Sequence, residues 1–429
     1  MPIPLKPPSR VDPLQFPAFG MSWFGDPGSG LSLLAYCGGG GSAKTGVNNG
    51  IMVRAPDGEV RRIDTGDQVG VALKIVGNPV SGRIFLLVAV SKSVVRYDLP
   101  SCQKSGELEV GGEGVNAINV NVMADSLACG CENGEVKVYK ITDDNFSADS
   151  LLYTCKGHTN TVCSVDFSAR GDRLVSSAKD GTARIWHEGN LVKELQCSVE
   201  GGTNPANKKS KVPAKRPVQV LVRGCAFGDL EGKVVYTVAS ARRGSAFLAR
   251  WVEDSPDWQC ERIECSDVPI SAMSLSSDGF LLALGSVSGS VILWGVENWK
   301  PLKIFNEVHD LPVTCIAARP YDAPLQGEED GIRFHAMSAS ADSRLGNISL
   351  QKPPRESKTG FLNRFLSSVY TMMIILIIAI LMTRPIFLDF KEKCSYEWQM
   401  GTLVGVKNCI LNEVLWAPST HPGISVPPH

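Results

Sequence analysis

The 429-residue chain has no charge of one sign to spare: 43 Lys and Arg face 44 Asp and Glu, for a net charge of −1. That excludes the broad basic field on which nucleic-acid binding depends. Its 13 cysteines also lack metal-ligand spacing. Cys129-Gly130-Cys131 has neither a second cysteine pair nor a histidine pair at ligand distance. In a strand the two share a face and read as small core hydrophobes. Cys37, Cys155, Cys163, Cys225 and Cys315 sit in apolar runs and read as reduced core thiols of a reducing compartment. The first eight residues, MPIPLKPP, contain no apolar core, so no cleavable signal peptide is expected. No nucleophile and base stand at a recognisable spacing, which argues against a hydrolase. Long helical patterns are scarce, and 42 glycines favour short strands and turns.

What is present is a repeat of about forty residues. Its clearest copy, residues 153–195, contains Gly157-His158, an apolar run at 162–167, Ser176-Ser177, Asp180-Gly181 and Ala183-Arg184-Ile185-Trp186. This is the G-H…D-G…W signature of a WD-type propeller blade. Within it His158, Ser176 (or Ser177), Asp180 and Trp186 read as a buried hydrogen-bond tetrad, structural rather than acid–base. Weaker copies cover 69–97, 115–139, 218–251, 270–294 and 313–350. With a first blade at 19–63 they predict an all-β fold, a seven-bladed WD-type β-propeller over residues 1–350. Closing seven sheets into a ring protects their edges. The seventh blade shows three strands, and the proline-rich segment before Phe16 reads as a poor fourth, because proline cannot donate to a ladder.

Two insertions interrupt the repeat. The basic segment 201–217 and the acidic segment 321–331 read as solvated loops, with contact to an anionic membrane face an alternative for the first. Residues 365–383, FLSSVYTMMIILIIAILMT, are 19 residues without a charge. At ~1.5 Å per residue they extend about 28 Å, close to the ~30 Å hydrocarbon core of a bilayer. A single transmembrane helix is expected there, after a linker at 351–364 and before a tail at 384–429. Lys352, Arg355, Lys358 and Arg364 precede the span, against Arg384, Lys391 and Lys393 after it. With no signal peptide, this predicts a type II protein with a cytosolic propeller and a lumenal tail. Cys394 and Cys409 could pair in an oxidising lumen.

The stretch Gly38-Gly39-Gly40-Gly41-Ser42-Ala43-Lys44-Thr45-Gly46-Val47-Asn48-Asn49-Gly50 stands between two strand-like runs. It holds six glycines in thirteen residues, far more than a hairpin needs. Gly38 and Ala43-Lys44-Thr45 come within one residue of a phosphate-binding loop, but a strand follows where that motif needs a helix. Converging backbone carbonyls could hold a hard cation, monovalent because Lys44 is the one charged side chain. A long mobile hairpin is the third reading.

The same stretch resembles the loop of the prolactin regulatory element-binding protein family, and the order of segments along the chain is similar too. The family's four glycines, variable stretch and Gly-aliphatic-x-Asn fall on Gly38, Gly39, Gly40, Gly41, Gly46, Val47 and Asn49. The resemblance implies a guanine-nucleotide exchange factor for a Sar-type small GTPase. It would act at the endoplasmic reticulum membrane and, with COPII coat components as further partners, start vesicle formation. The resemblance implies neither covalent chemistry nor a nucleic-acid partner. On the family's pattern Asn49 would lie near the GTPase phosphate site and Val47 would pack an apolar switch side chain. Asn48 and the glycines would complete the contact loop, and backbone oxygens of Gly41, Ser42 and Gly46 would hold a potassium ion. The Ser42–Thr45 stretch varies in the family, so Lys44 is given no role. A non-catalytic, membrane-tethered WD scaffold for cargo exit is the reading from a different class, against which the retained loop argues.

Overall fold

The computed structural model describes residues 9–26, 31–41, 46–55, 58–197, 220–241, 244–255, 257–320 and 332–351. The expected linker beyond Gln351, the span at 365–383 and the tail with Cys394 and Cys409 lie outside them, as do Ser42 to Thr45 and both insertions. Among the described residues no helix is long and apolar enough to cross a membrane.

After a first strand, β1 (Ser9–Pro13), the chain lays down one four-stranded antiparallel sheet after another. Blade 1 is β2 (Ala18–Asp26), β3 (Leu31–Gly38), β4 (Gly50–Arg54) and β5 (Val60–Asp64). Blade 2 is β6 (Gly70–Gly77), β7 (Ile84–Val90), β8 (Ser93–Leu99) and β9 (Gln103–Glu109). Blade 3 is β10 (Val115–Val120), β11 (Ser126–Cys131), β12 (Val136–Lys140) and β13 (Leu151–Cys155). Blade 4 is β14 (Val162–Phe167), β15 (Arg173–Ala178), β16 (Thr182–His187) and β17 (Asn190–Gln196). Blade 5 is β18 (Val220–Phe227), β19 (Val234–Ala241), β20 (Ala246–Asp254) and β21 (Asp257–Ser266). Blade 6 is β22 (Ile270–Leu275), β23 (Leu281–Ser286), β24 (Val291–Gly295) and β25 (Lys300–Phe305). The seventh has β26 (Val313–Ala318), β27 (Ile332–Ser340) and β28 (Arg344–Gln351), completed by β1. This is a seven-bladed WD propeller.

Each blade's first strand packs against the first strands of its two neighbours, and β26 returns to β2, which closes the ring. Side chains tie the blades across these seams. The Thr314 hydroxyl donates to Ala18 O at 2.5 Å, Asn116 Nδ2 to Val162 O at 2.9 Å, and Ser271 Oγ to Val313 O at 2.6 Å. Every blade carries a register shift near the start of its first strand, from Ala18/Gly20 in blade 1 to Val313/Cys315 in blade 7. Such a bulge bends a strand and raises its twist, as a ring of inward-facing strands requires. The second strands, squeezed between neighbouring blades, are buried nearly end to end, as in Leu33–Gly38 and Phe85–Val90. Burial raises the thiol of Cys131, at the end of one such strand, to about 11 and that of Cys155, in the fourth strand of the same blade, to about 12, leaving inert core residues.

The ring's lock corrects one expectation. The proline-bearing N-terminal segment does supply the missing strand: β1 pairs antiparallel with β28, Ser9 opposite Ile348 through Pro13 opposite Arg344. It is the outermost strand of its sheet, with one edge unpaired. Proline is tolerated on such an edge and at a strand end, because no ladder bond is lost there. Leu14 N–H extends the pairing by donating to Ser343 O at 2.7 Å.

Strand alternation sorts the connections onto two faces. Hairpins joining first to second strands, and third to fourth, gather on one, the hairpin face. Second-to-third turns and blade-to-blade links gather on the other, the loop face. The glycine stretch joins β3 to β4 and so belongs to the loop face.

Candidate functional site

The glycine stretch is rooted by a tight local network. Gly38 and Gly50 face each other across the last rung of the β3–β4 ladder. Gly39 N–H donates to Pro17 O at 3.0 Å, in the link entering blade 1. A side chain at Gly39 would run into Asn49 Oδ1 and Cα, and its φ of +139° is one that L side chains rarely adopt. Gly41 and Gly46, at φ +76° and +77°, bracket the undescribed tip and have open space around them. There glycine answers to backbone conformation rather than to packing.

Asn49 is 3 % exposed, and its carboxamide is engaged on both sides. Oδ1 accepts Gly41 N–H at 2.9 Å, while Nδ2 donates to Gly41 O at 3.1 Å and to Gly66 O at 2.9 Å. Gly66 lies in the link to blade 2 and is held in turn by its N–H donating to Asp64 Oδ1 at 2.8 Å. A buried side chain therefore mimics a strand partner, clasping the loop at Gly41 and bolting it to the adjacent blade. Gly46, Val47 and Asn48 stand exposed beyond this clasp, Val47 being 36 % accessible. Gly38 and Gly39 are buried and Gly40 half-buried. No three His, Cys, Asp or Glu side chains gather as a metal site among the described residues.

The tetrad residues meet in blade 4. His158 Nε2 lies 2.8 Å from Ser176 Oγ, which also accepts Trp186 Nε1–H at 2.8 Å. His158 Nδ1 lies 2.9 Å from Asp180 Oδ2, which also accepts Thr159 N–H at 3.0 Å. Burial opposes ionisation of Asp180, but hydrogen bonds from His158, Thr182 and Thr159 outweigh it and hold the carboxyl well below the ordinary range. Ser177 makes no such contact; its buried Oγ finds no partner among the described residues.

A second tetrad-like set, not anticipated from sequence, ties blade 7. His309 Nε2 is 2.9 Å from Ser338 Oγ and Nδ1 is 3.3 Å from Asp342. Buried Ile348 takes the register position that Trp186 holds in blade 4. Burial pulls His309 below the ordinary imidazole range despite Asp342.

The model for the WD domain, G-beta repeat, matches residues 149–187. That window takes in β13 and the first three strands of blade 4, so the sequence repeat straddles two sheets. Among curated proteins the chain is 24% identical over 352 residues to the guanine nucleotide-exchange factor SEC12 of Mus musculus, covering 69% of this chain and 80% of that one. The likeness to SEC12 thus runs over most of the propeller at low identity. SEC12-like protein 2 of Arabidopsis thaliana is 25% identical over 207 residues, 48% of this chain and 46% of its own. A WD repeat-containing protein 91 homolog of Dictyostelium discoideum is 23% identical over 260 residues, 54% of this chain. The chain spans 33% of the Dictyostelium relative's length, so that likeness is one of WD repeats. The residues missed by sequence reasoning are Pro17 and Gly66. Both act through backbone carbonyls, which leave no side-chain signature.

Proposed function

We propose that the chain is a guanine-nucleotide exchange factor for a Sar-type small GTPase, held at the endoplasmic reticulum membrane, where it starts COPII assembly. One observation carries the reading: a loop whose root is fixed by Asn49 and Gly39 presents Gly46, Val47 and Asn48 to solvent on the loop face. A GTPase grips its nucleotide through the phosphates and magnesium. A stiff loop that fits the nucleotide-free form better than the loaded form shifts the population towards release. Stiffness matters because a loop that must first order itself gives up part of its binding free energy.

In this arrangement Val47 supplies the apolar contact, Asn48 a polar one beside it, and Asn49 acts through Gly41 and Gly66 while its three bonds stand. Gly38 to Gly41 give the chain room to turn. Backbone oxygens of Gly41, Ser42 and Gly46 would hold a potassium ion. Its positive charge would counter the carbonyl dipoles and stiffen the loop further.

The test follows GDP release from a Sar-type GTPase with the purified chain, in potassium and then in sodium buffer. Faster release in potassium, lost on Val47→Asp, is expected. A chain that binds the GTPase yet leaves GDP release at its intrinsic rate overturns exchange and leaves a tethered scaffold.

A further inference from the structure

The most exposed apolar side chains share one place in the fold. Val80, Val122, Met123, Leu230 and Phe280 range from 55 to 85 % exposed, and no other large apolar side chain described passes the 53 % of Ile304. All five lie in hairpins joining first to second strands, in blades 2, 3, 5 and 6, and therefore on the hairpin face. Polar side chains hold these turns from within. Asn78 Oδ1 accepts Val80 N–H at 2.9 Å, and Asn121 Oδ1 accepts Asp125 N–H at 3.0 Å. Asp229 Oδ1 accepts Val234 N–H at 2.8 Å, and Asp278 Oδ1 accepts Phe280 N–H at 3.0 Å. Two of these, at Asn78 and Asp278, are the Asx-type anchors that let a tight turn close. The acids of blades 5 and 6 are thereby tied to backbone, and an apolar group is left outermost. Scattered singly, such groups need no partner; here all five share one face of the ring.

The path of the chain supplies the occupant. β28 is the third strand of its sheet, so it runs from the loop face to the hairpin face and delivers Gln351 there. The 13 residues 352–364 follow, with Lys352, Arg355, Lys358 and Arg364 among them, and then the 19 uncharged residues 365–383. Thirteen residues cannot carry the start of 365–383 farther than about 45 Å from Gln351.

Resting on the reading of 365–383 as a membrane span, we propose that the hairpin face lies on a lipid bilayer. Its apolar tips enter the headgroup layer, the basic residues of 352–364 lie against anionic headgroups, and the glycine loop points away into solution. Basic side chains near such a surface are drawn to it, and apolar tips gain by leaving water.

The full chain, reconstituted into phosphatidylcholine–phosphatidylserine vesicles with brominated acyl chains, tests this. An environment-sensitive fluorophore is placed through a genetically encoded handle at 122, 230 or 280, and at 287 or 311 on the loop face as controls. Quenching and a blue shift at the first three positions, with none at the controls, are expected. Equal quenching on both faces, or none on either, in a chain that floats with the vesicles overturns the docking and leaves the anchor intact. Shielding of the tips without lipid quenching assigns the face to a protein partner or a second copy, and also overturns it. A chain that fails to float removes the anchor and the proposal together.

Discussion

Replacing Asn49 by alanine removes three hydrogen bonds at once: Gly41 N–H to Oδ1, and Nδ2–H to the carbonyls of Gly41 and Gly66. Each contributes a net ~0.5–1.5 kcal/mol, and Gly41 is half-buried, so part of its bonding is recovered from water. We expect the closed loop to lose about 2–3 kcal/mol relative to an open one, a factor of roughly 30 to 150 in the opening equilibrium. Opening of this kind is local and leaves the ladders of blade 1 intact, so the melting temperature should move little. Hydrogen exchange at the Gly41 amide reads the opening directly and should accelerate by that factor, while GDP release slows ~10-fold or more. Asn49→Asp is the sharper variant. It keeps an acceptor for Gly41 N–H but sets a carboxylate oxygen against two carbonyls, and should be at least as damaging. Unchanged exchange at Gly41 in the alanine variant would refute the clasp. Faster exchange at Gly41 with undiminished GDP release would refute the link between loop stiffness and activity.

Gly39→Ala should unseat the same clasp, since its Cβ meets Asn49; combined with Asn49→Ala the effects on Gly41 exchange should fall well short of additive. In chemical denaturation Trp186→Phe should cost about 1 kcal/mol more than Trp294→Phe. Trp186 Nε1 donates to Ser176, whereas Trp294 Nε1 has no acceptor among the described residues. Burial pushes Asp166 up to about 6, against hydrogen bonds from Phe227 and Asn119 and the charge of Lys74. The folded state therefore holds a proton that the unfolded chain releases near pH 4, and this group's contribution to stability should decline as pH rises from about 4 to about 6, by ~3 kcal/mol in all. Asp166→Asn should flatten that segment of a stability–pH curve measured by urea unfolding. Asp180, whose carboxyl is depressed, acts in the opposite sense, its contribution being lost only as pH falls below about 4.

The blades were legible because their signals are local. Asp180-Gly181 and Glu132-Asn133-Gly134 mark hairpins, and the apolar runs between them have strand length. The closing strand was not, because Ser9–Pro13 carries a proline and no alternation; it is a strand by virtue of the open edge of β28, some 330 residues further along the chain. The glycine stretch announced itself by composition, and its place on the loop face follows from the strand order. The inward turn of Asn49 did not show, because its acceptors are carbonyls of Gly41 and Gly66. The His309 set lacked both the preceding glycine and the tryptophan that made the blade 4 copy recognisable.

That closing strand has a consequence for biosynthesis. The five residues that lock the ring leave the ribosome some 330 residues before their mate, Arg344–Gln351, which emerges near the end of the propeller. At ~5–20 residues per second the early segment waits on the order of tens of seconds. For that interval blade 7 cannot exist and six blades stand as an unsealed arc. Chaperone dependence should therefore concentrate late in translation, and a nascent chain arrested before residue 344 should remain protease-sensitive however well its earlier sheets have formed.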